Sequence, residues 1–393
     1  MSAIPTSLLA TSALATSPST ALTSPVFRAL KVPTHIRPGS KFAGMRVHFV
    51  GIGGSGMSGL AQMLLDCGAI VTGSDAKPNT QTIALARRGV KISRDQMGEL
   101  LDKNVDVVVR SAAVKDAHLE IASANSLGLR VIKYAAMLGE VMQERTGVAV
   151  AGTHGKSTTT AMTAFALVEC GLDPSFVVGG TVPQIDGGAG SRSGAGDSFV
   201  AEACEYDRSF HNLAPTVAII TNIEEDHLDC YKNIHDINES FRKFVSLVPP
   251  EGLVIANGRD HNVAKVVKDS RARVHSVSLG DDTVWSTKPA GIVNGCHHGE
   301  VYFHGRHVAT LKMSAPGLHN LMNATMALAA AHACGAEITA AAEAIGRFRG
   351  VDRRMTEVGW HNGAIVVDDY GHHPTEVSAT LAALRERYRP QRL

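Results

Sequence analysis

The pattern of apolar and polar positions changes abruptly near Arg46. Before it, "MSAIPTSLLATSALATSPSTALTSPVFRALKVPTHIRPGSKF" shows no sustained period, is rich in Ser, Thr, Ala and Pro, and precedes the first acidic residue, Asp66. Its lack of acids would suit an organelle transit peptide, but it is poor in Arg and lacks an amphipathic helical pattern. Residues 1–42 are therefore read as a disordered extension outside the fold. From Arg46 onward, apolar runs of strand length alternate with helical periods. "RVHFVGI", "SGMSGLAQMLLDCG" and "AIVTGSD" predict strand, helix and strand, and "VDVVVRSAAV" and "LRVIKYAAMLGEVM" continue the series. Such alternation is the mark of a doubly wound parallel sheet in an α/β fold.

A second series begins at "GVAVAGTHGKSTTTAMTAFALVECG", with further strands at "DSFVAEAC" and "TVAIITNI" and a helix at "INESFRKFVSLV". The Gly/Ser-rich "DGGAGSRSGAGDS" between them reads as a flexible loop without chemistry. Residues 273–313 switch to short β-prone runs separated by turn residues, which predicts a small antiparallel excursion. Its histidines, His297, His298, His304 and His307, are expected on an exposed hairpin. Two helices follow, "LMNATMALAAAHACG" and one around residues 338–347; then "AIVVDDYGHHPTEVSATLAALRERY" predicts a strand, a loop and a helix. One βα unit cannot bury both its faces, so this last segment reads as a domain cut short. The expected division is 43–146, 147–349 and 350–393.

Composition narrows the partners. The 393 residues suffice for two or three cores, and 44% of them are hydrophobic. A net charge of +1 supplies no field to recruit nucleic acid or an anionic membrane, so an anionic ligand must be held by local groups. Six cysteines without a CxxC pair indicate neither a zinc site nor a disulfide framework and fit a reducing cytoplasm. No stretch approaches the ~18 uninterrupted apolar residues of a membrane span.

Two glycine loops carry the chemistry. Gly51-Ile52-Gly53-Gly54-Ser55-Gly56 lies between a predicted strand and helix, and Asp75 closes the next strand. This is the arrangement that brings backbone N–H groups to a diphosphate and a carboxylate to ribose. It serves NAD or a UDP-sugar equally, and a purely structural turn is the bland alternative. The second loop, Gly152-Thr153-His154-Gly155-Lys156-Ser157, is a shortened P-loop: Lys156 would neutralise β- and γ-phosphate oxygens, Ser157 would ligate magnesium, and Thr158 begins the helix whose N–H groups face phosphate. Two acid-rich strand ends follow, with Glu202, Glu205 and Asp207, then Asn222, Glu224, Glu225, Asp226, His227 and Asp229. Carboxylates beside a triphosphate would repel it unless a cation stands between them, so these acids point to Mg2+.

Seven stretches in order, "HFVGIGGSGMSGLA", "GTHGKSTTT", "EACEYDRSF", "TNIEEDHLDCY", "PGLHNLMNATMALAAA", "FRGVDRRM" and "VVDDYGHHPTEV", resemble the Mur ligase family over about residues 46–393. The first of them is similar to the members that join L-alanine to UDP-N-acetylmuramate. The resemblance implies three domains: a Rossmann-like N-terminal domain for the UDP substrate, a central P-loop ATPase domain whose parallel sheet carries a small antiparallel portion, and a partial Rossmann-like C-terminal domain. It implies Gly53, Gly54 and Ser55 at the UDP diphosphate, with Ser74, Asp75 and Ser111 towards the uridine. ATP would be held by Gly152, Thr153, His154, Gly155, Lys156, Ser157 and Thr158, its adenine end by His319, Asn320 and Asn323, and its phosphates and ribose by Arg354 and Asp369. Mg2+ would be held by Ser157, Glu205 and His227, and Tyr370 and His372 would lie near the incoming amino acid, giving Lys156, Glu205, His227 and His372 as the catalytic set. Serine at 157 replaces a family threonine and keeps the hydroxyl. The implied reaction phosphorylates the muramoyl carboxylate with ATP, and the alanine amine attacks the acyl phosphate, a cytoplasmic step of peptidoglycan precursor synthesis. Family members continue beyond the last motif here, so this chain alone is expected to be weak or inactive. Two competing readings are a nicotinamide oxidoreductase, which leaves the P-loop and the acids unexplained, and a non-catalytic fragment that binds a UDP-sugar and ATP.

Overall fold

The computed structural model describes residues 39–280 and 282–393. The expected extension lies outside them up to residue 38. Residues 39–42, assigned to it from their composition, belong to the fold instead. Phe42 is fully buried against the first sheet, and Ser40 Oγ and the Lys41 N–H both donate to Glu144. A single aromatic after a Pro- and Ser-rich stretch gives no periodicity by which to recognise it.

The first sheet has five parallel strands: β1 (Arg46–Val50), β2 (Ile70–Ser74), β3 (Lys91–Ser93), β4 (Val107–Arg110) and β5 (Arg130–Lys133), in the order β3-β2-β1-β4-β5. Helices α1 (Ser55–Asp66), α2 (Thr80–Arg87), α3 (Leu119–Ser126) and α4 (Tyr134–Met142) cover it. Strand order reverses direction between β1 and β4, and in open parallel sheets ligands bind beyond the carboxyl ends at that switch point. Both the first glycine loop and Ser111 lie there; a Cβ on Gly51 would be 3.4 Å from Ser111 Oγ.

The second sheet begins with β6 (Thr146–Ala151), which feeds α5 (Lys156–Glu169). It continues with β7 (Ser175–Val182), β8 (Ala189–Arg192), β9 (Ser198–Glu202), β10 (Val217–Ile220), β11 (Leu253–Asn257), β12 (Arg273–Leu279), β13 (Trp285–Val293), β14 (Cys296–Phe303) and β15 (Arg306–Lys312). Its order is β15-β14-β13-β12-β11-β10-β6-β9-β7-β8. The run from β13 back to β6 and on to β7 is parallel, whereas β13-β14-β15 are antiparallel, the excursion that the change of pattern after residue 273 predicts. Residues on β6 alternate in use: Val148 and Val150 pack under α5, α8 (Leu318–Ala333) and α9 (Ile338–Arg347). Ala149 and Ala151 face the opposite core with α6 (Ile234–Val245) and α7 (His261–Val267). That second core is continuous with the first sheet's, because α4 is wedged against Phe210 and Leu213; a Cβ on Gly139 would be 1.8 Å from the Asn212 carbonyl.

Two local expectations fail. Within "DGGAGSRSGAGDS" the structure places the edge strand β8, paired with β7. Arg192 is ion-paired to Asp173 and Asp186, and Arg145 donates to the carbonyls of Gly194 and Gly196. The glycines are there because backbone passes close by, at 2.1 Å from a Cβ on Gly194, and not for flexibility. His297 is buried rather than exposed and bonds Glu386 at 2.8 Å, so the antiparallel strands dock the last helix. His304 and His307 are exposed as expected.

The last segment is a hairpin, β16 (Thr356–His361) with β17 (Ala364–Asp368), followed by α10 (Pro374–Tyr388). Trp360 is 68% exposed and Ala383 is the buried residue of α10. Among the described residues no helix is long and apolar enough to cross a membrane.

Candidate functional site at the second glycine loop

Strand β6 ends at Ala151, and the chain turns through Gly152 (φ 141°) and Gly155 (φ 79°) into α5. Side chains are excluded at both positions: a Cβ would be 1.9 Å from Thr221 Oγ1 at Gly152 and 2.8 Å from Asn323 Oδ1 at Gly155. The loop is held from β10 and its following turn. Asn222 Oδ1 accepts from the His154 N–H at 2.8 Å and its backbone oxygen from the Thr153 N–H at 3.0 Å, while Thr221 Oγ1 donates to the His154 carbonyl at 2.6 Å. Gly155 caps α5 without a side chain, so the first-turn N–H groups are left for a ligand.

Those groups open onto a cavity of about 680 Å3. His154, Gly155, Ser157 and Thr158 form one wall; His319, Asn320 and Asn323 at the start of α8 form a second; Arg354, Asp369 and Glu376 of the last segment form a third. Nine residues expected around ATP are thus brought together from three parts of the chain. Gly152 and Thr153 support the loop from behind, and Thr153 Oγ1 accepts from the Glu224 N–H.

Lys156 folds back: its Nζ donates to the Gly152 and Thr153 carbonyls at 2.5 and 3.1 Å and to Glu205 Oε1 at 2.8 Å. His227 Nε2 lies 3.8 Å from the same Glu205 oxygen, aimed by a backbone at φ 53°, a conformation rare outside glycine. Glu205 is buried, and its other oxygen, Oε2, finds no hydrogen-bond partner among the described residues. A buried carboxylate oxygen without a partner is costly, and a cation beside Glu205 and His227 would satisfy it, so these two of the three residues expected to hold Mg2+ fit that group. The other acids expected near it are used elsewhere. Asp207 pairs with Lys133, Glu202 accepts from the Gly179 N–H, Glu225 from the Ile234 N–H, and Asp229 from the Tyr206 hydroxyl.

Tyr370 and His372 stand outside the cavity wall. Tyr370 is half-exposed beneath Arg353 and Arg354, with guanidinium-to-ring distances of 4.9 and 5.3 Å, and His372 Nδ1 faces Glu376 at 3.5 Å. Glu376 itself escaped the sequence reading. Burial would raise its pKa, but the His154 side chain, the His372 N–H and the Arg354 charge outweigh burial and hold it down at about 2. Proline at the first position of α10 with Glu376 in its first turn was the available signal, since such a glutamate faces the helix start.

At the first glycine loop the expected residues divide. The Gly53 N–H is taken by Asp75 Oδ2 at 2.7 Å and the Gly53 carbonyl by Asn79 at 2.8 Å, so Asp75 shapes the loop. Ser74 is fully buried and donates to Glu120 at 2.5 Å, in a chain that continues to His48 at 2.9 Å. The Ser74 hydroxyl, expected towards the uridine, is spent on this buried chain and holds the strand end in place. Gly54 caps α1 without a side chain, leaving that helix start open. Ser111 lines a second cavity of about 280 Å3, with Lys133, Tyr134, Glu202 and Tyr206, between the first sheet and the second.

Comparison with known proteins bears directly on this arrangement. Residues 46–146 match the Mur ligase family catalytic domain, 150–331 the Mur ligase middle domain and 353–393 the Mur ligase glutamate ligase domain. The chain belongs to the Mur ligase family. It is 41% identical over 342 residues to the UDP-N-acetylmuramate–L-alanine ligase of Caldanaerobacter subterraneus subsp. tengcongensis, spanning 86% of this chain and 74% of the relative. The corresponding ligase of Acetivibrio thermocellus is 39% identical over 88% of this chain and 74% of its own length. Among solved structures, a murein peptide ligase of Psychrobacter arcticus superposes with a TM-score of 0.74 at 31% identity, covering 88% of this chain and 76% of that one. The UDP-N-acetylmuramate–alanine ligase of Thermotoga maritima gives 0.73 at 27% identity, covering 88% and 79%. This Mur ligase therefore keeps the fold of both amino-acid-adding and peptide-adding relatives.

Proposed function

We propose that this Mur ligase joins L-alanine to UDP-N-acetylmuramate at the expense of ATP, through an acyl phosphate, as a step of peptidoglycan precursor synthesis. The observation that carries the reading is the convergence of the P-loop, the start of α8 and the 354–376 segment on one cavity, with Lys156, Glu205 and His227 clustered behind the loop. The first-turn N–H groups of α5 and Lys156 bind the triphosphate, and His319, Asn320 and Asn323 take the adenine end. Gly54 and Ser55, at the open start of α1 by the switch point of the first sheet, hold the UDP diphosphate, with Gly53 and Asp75 setting the loop and Ser111 beside it.

A carboxylate and a γ-phosphate repel each other, so both must be neutralised as they meet. Lys156, released from the Gly152 and Thr153 carbonyls as the triphosphate enters, supplies positive charge to it during transfer. Mg2+, held by Ser157, Glu205 and His227, would supply further neutralisation of phosphate charge when bound. Arg354 and Asp369, from the far wall, position the nucleotide, and closing that wall excludes the water that would hydrolyse the acyl phosphate. Tyr370 and His372 stand on the same segment and orient the amine.

The deciding experiment measures ADP release with UDP-N-acetylmuramate, adding L-alanine or an L-alanyl peptide in separate reactions. Release that requires both UDP-N-acetylmuramate and free L-alanine is expected. Release with the peptide alone would transfer the reading to the peptide-adding class, to which the Psychrobacter arcticus relative belongs by name. Nucleotide binding without release under any of these conditions would leave a binding module, and saturable NAD binding without UDP-sugar binding would overturn the ligase reading.

A further inference from the structure

Away from Glu205 and His227, three side chains from distant parts of the chain meet at the edge of the nucleotide cavity: His154 of the P-loop, Glu224 of the turn after β10, and His373 at the cap of α10. One ligand atom from each lies within 4.8 Å of the other two. His154 Nε2 is 3.4 Å and His373 Nδ1 is 3.7 Å from Glu224 Oε2. A tetrahedral zinc ion with bonds of roughly 2.0–2.1 Å sets its ligand atoms roughly 3.3–3.4 Å apart, so small adjustments would close the set.

The groups behind these three are those a metal site needs. His154 Nδ1 faces Glu376 Oε1 at 3.3 Å, the carboxylate–histidine pairing that fixes the tautomer and turns the Nε2 lone pair outward. The His373 Nε2–H donates to the Glu225 carbonyl at 3.3 Å, and Nδ1, unprotonated, accepts from the Thr375 N–H at 3.3 Å as the cap of α10, a bond that a metal ion on Nδ1 would replace. Glu224 Oε2 accepts from Thr375 Oγ1 at 2.7 Å. His154 meets carboxylates on both ring nitrogens, and a neutral imidazole has one N–H to offer. A cation at this point, a proton on the ring or a metal ion, satisfies both carboxylates, and a metal ion would in addition take the His373 Nδ1 as a ligand.

We propose that His154, Glu224 and His373 form a second, transition-metal site, suited to Zn2+ or Co2+, with Glu376, the Glu225 carbonyl and Thr375 as its supporting shell. Two imidazoles and one carboxylate prefer such an ion to Mg2+, which takes oxygen ligands and keeps its waters. The fourth position faces the cavity, open to water or an anion. Because the ligands come from the P-loop, the β10 turn and α10, a bound ion ties the last segment to the nucleotide loop and holds the cavity wall closed. Its effect on the ligase is inhibitory, since the wall must open for exchange of nucleotide.

The test is Zn2+ binding to the full chain in saturating Mg2+, by competition with a chromophoric chelator, with Co2+ spectroscopy alongside. One Zn2+ per chain is expected, and the Co2+ form should show the intense visible bands of a tetrahedral centre. H373N should weaken binding by about 100-fold or more, and E376Q, one shell out, by about 10–100-fold. E224Q, at a side chain 37% exposed, checks the third ligand without disturbing packing. Folding of each variant is verified by its thermal transition. Zn2+ affinity unchanged in both H373N and E224Q, or no Zn2+ bound by the wild type, overturns the site. The readout is metal binding, so it stands or falls separately from the ligase reading.

Discussion

The two glycine loops share a local design, a buried parallel strand running into glycines and then a helix whose first turn lacks a side-chain cap, and they have been put to different degrees of use. At the first loop, the Gly53 N–H and carbonyl are already bonded to Asp75 and Asn79, and the neighbouring Ser74 is sealed in a buried chain with Glu120 and His48. At the second, the loop is bonded mainly through its outer edge to Thr221 and Asn222, and the helix start opens onto a cavity walled by two other parts of the chain. The lesson is that a strand–glycine–helix motif is a cradle only to the extent that its N–H groups remain unspent. That quantity depends on neighbours far away in sequence. Charge differs too: the second loop carries Lys156 and its buried partner Glu205, whereas the first relies on helix dipole and backbone alone.

The contrast can be broken most forcefully at Lys156. K156M should abolish ADP release and, by leaving Glu205 buried without its cation, lower stability by about 3 kcal/mol, measured by denaturant unfolding. Unchanged stability would mean that the pair is not coupled in the resting enzyme. Glycine replacement compares the loops directly. G152A meets Thr221 Oγ1 at 1.9 Å from a backbone at φ 141° and should cost about 2–4 kcal/mol. G53A meets the movable ends of Asp75 and Asn79 at 2.6 and 2.9 Å, and should cost about 1 kcal/mol while raising KM for the UDP substrate. Equal thermal shifts in the two variants would erase the distinction.

Glu376 offers a pH test on the second loop. Its pKa falls from an ordinary 4.5 to about 2 in the fold, so it contributes stability that is present above pH 4.5 and lost as pH falls towards 2. E376Q should flatten the Tm-against-pH profile over that window, by at most about 3 kcal/mol, and leave the profile above pH 5 parallel to the wild type. The smallest effect is expected at the first loop. S74A should cost about 1–2 kcal/mol, because Glu120 loses a buried donor, with KM for UDP-N-acetylmuramate unmoved. A large KM increase at unchanged stability would mark Ser74 as a ligand.

Much of this was legible along the chain. β1, α1 and β2, the shortened P-loop, α9 and the antiparallel excursion follow from periodicity and turn chemistry confined to a dozen residues, and the ordered motifs led to the family. What escaped has a common cause. The Gly/Ser stretch around Ala189 forms an edge strand because Arg145 and Asp173 hold it, Phe42 is core because Glu144 ties its neighbours down, and His297 is buried because Glu386 reaches it. Glu376 is a carboxylate like many others until His154 and Arg354 surround it.

By itself, then, the sequence determined the elements, their order, the two loops and the residue types that bind phosphate, because dihedral preference, apolar period and helix capping act between near neighbours. Only the tertiary structure decided which loop N–H groups stay free, which acids face Lys156, and that His154, Glu224 and His373 share one point in space. Those outcomes are set by burial and by hydrogen bonds between residues scores of positions apart, whose formation depends on the packed sheets and leaves no period in the chain.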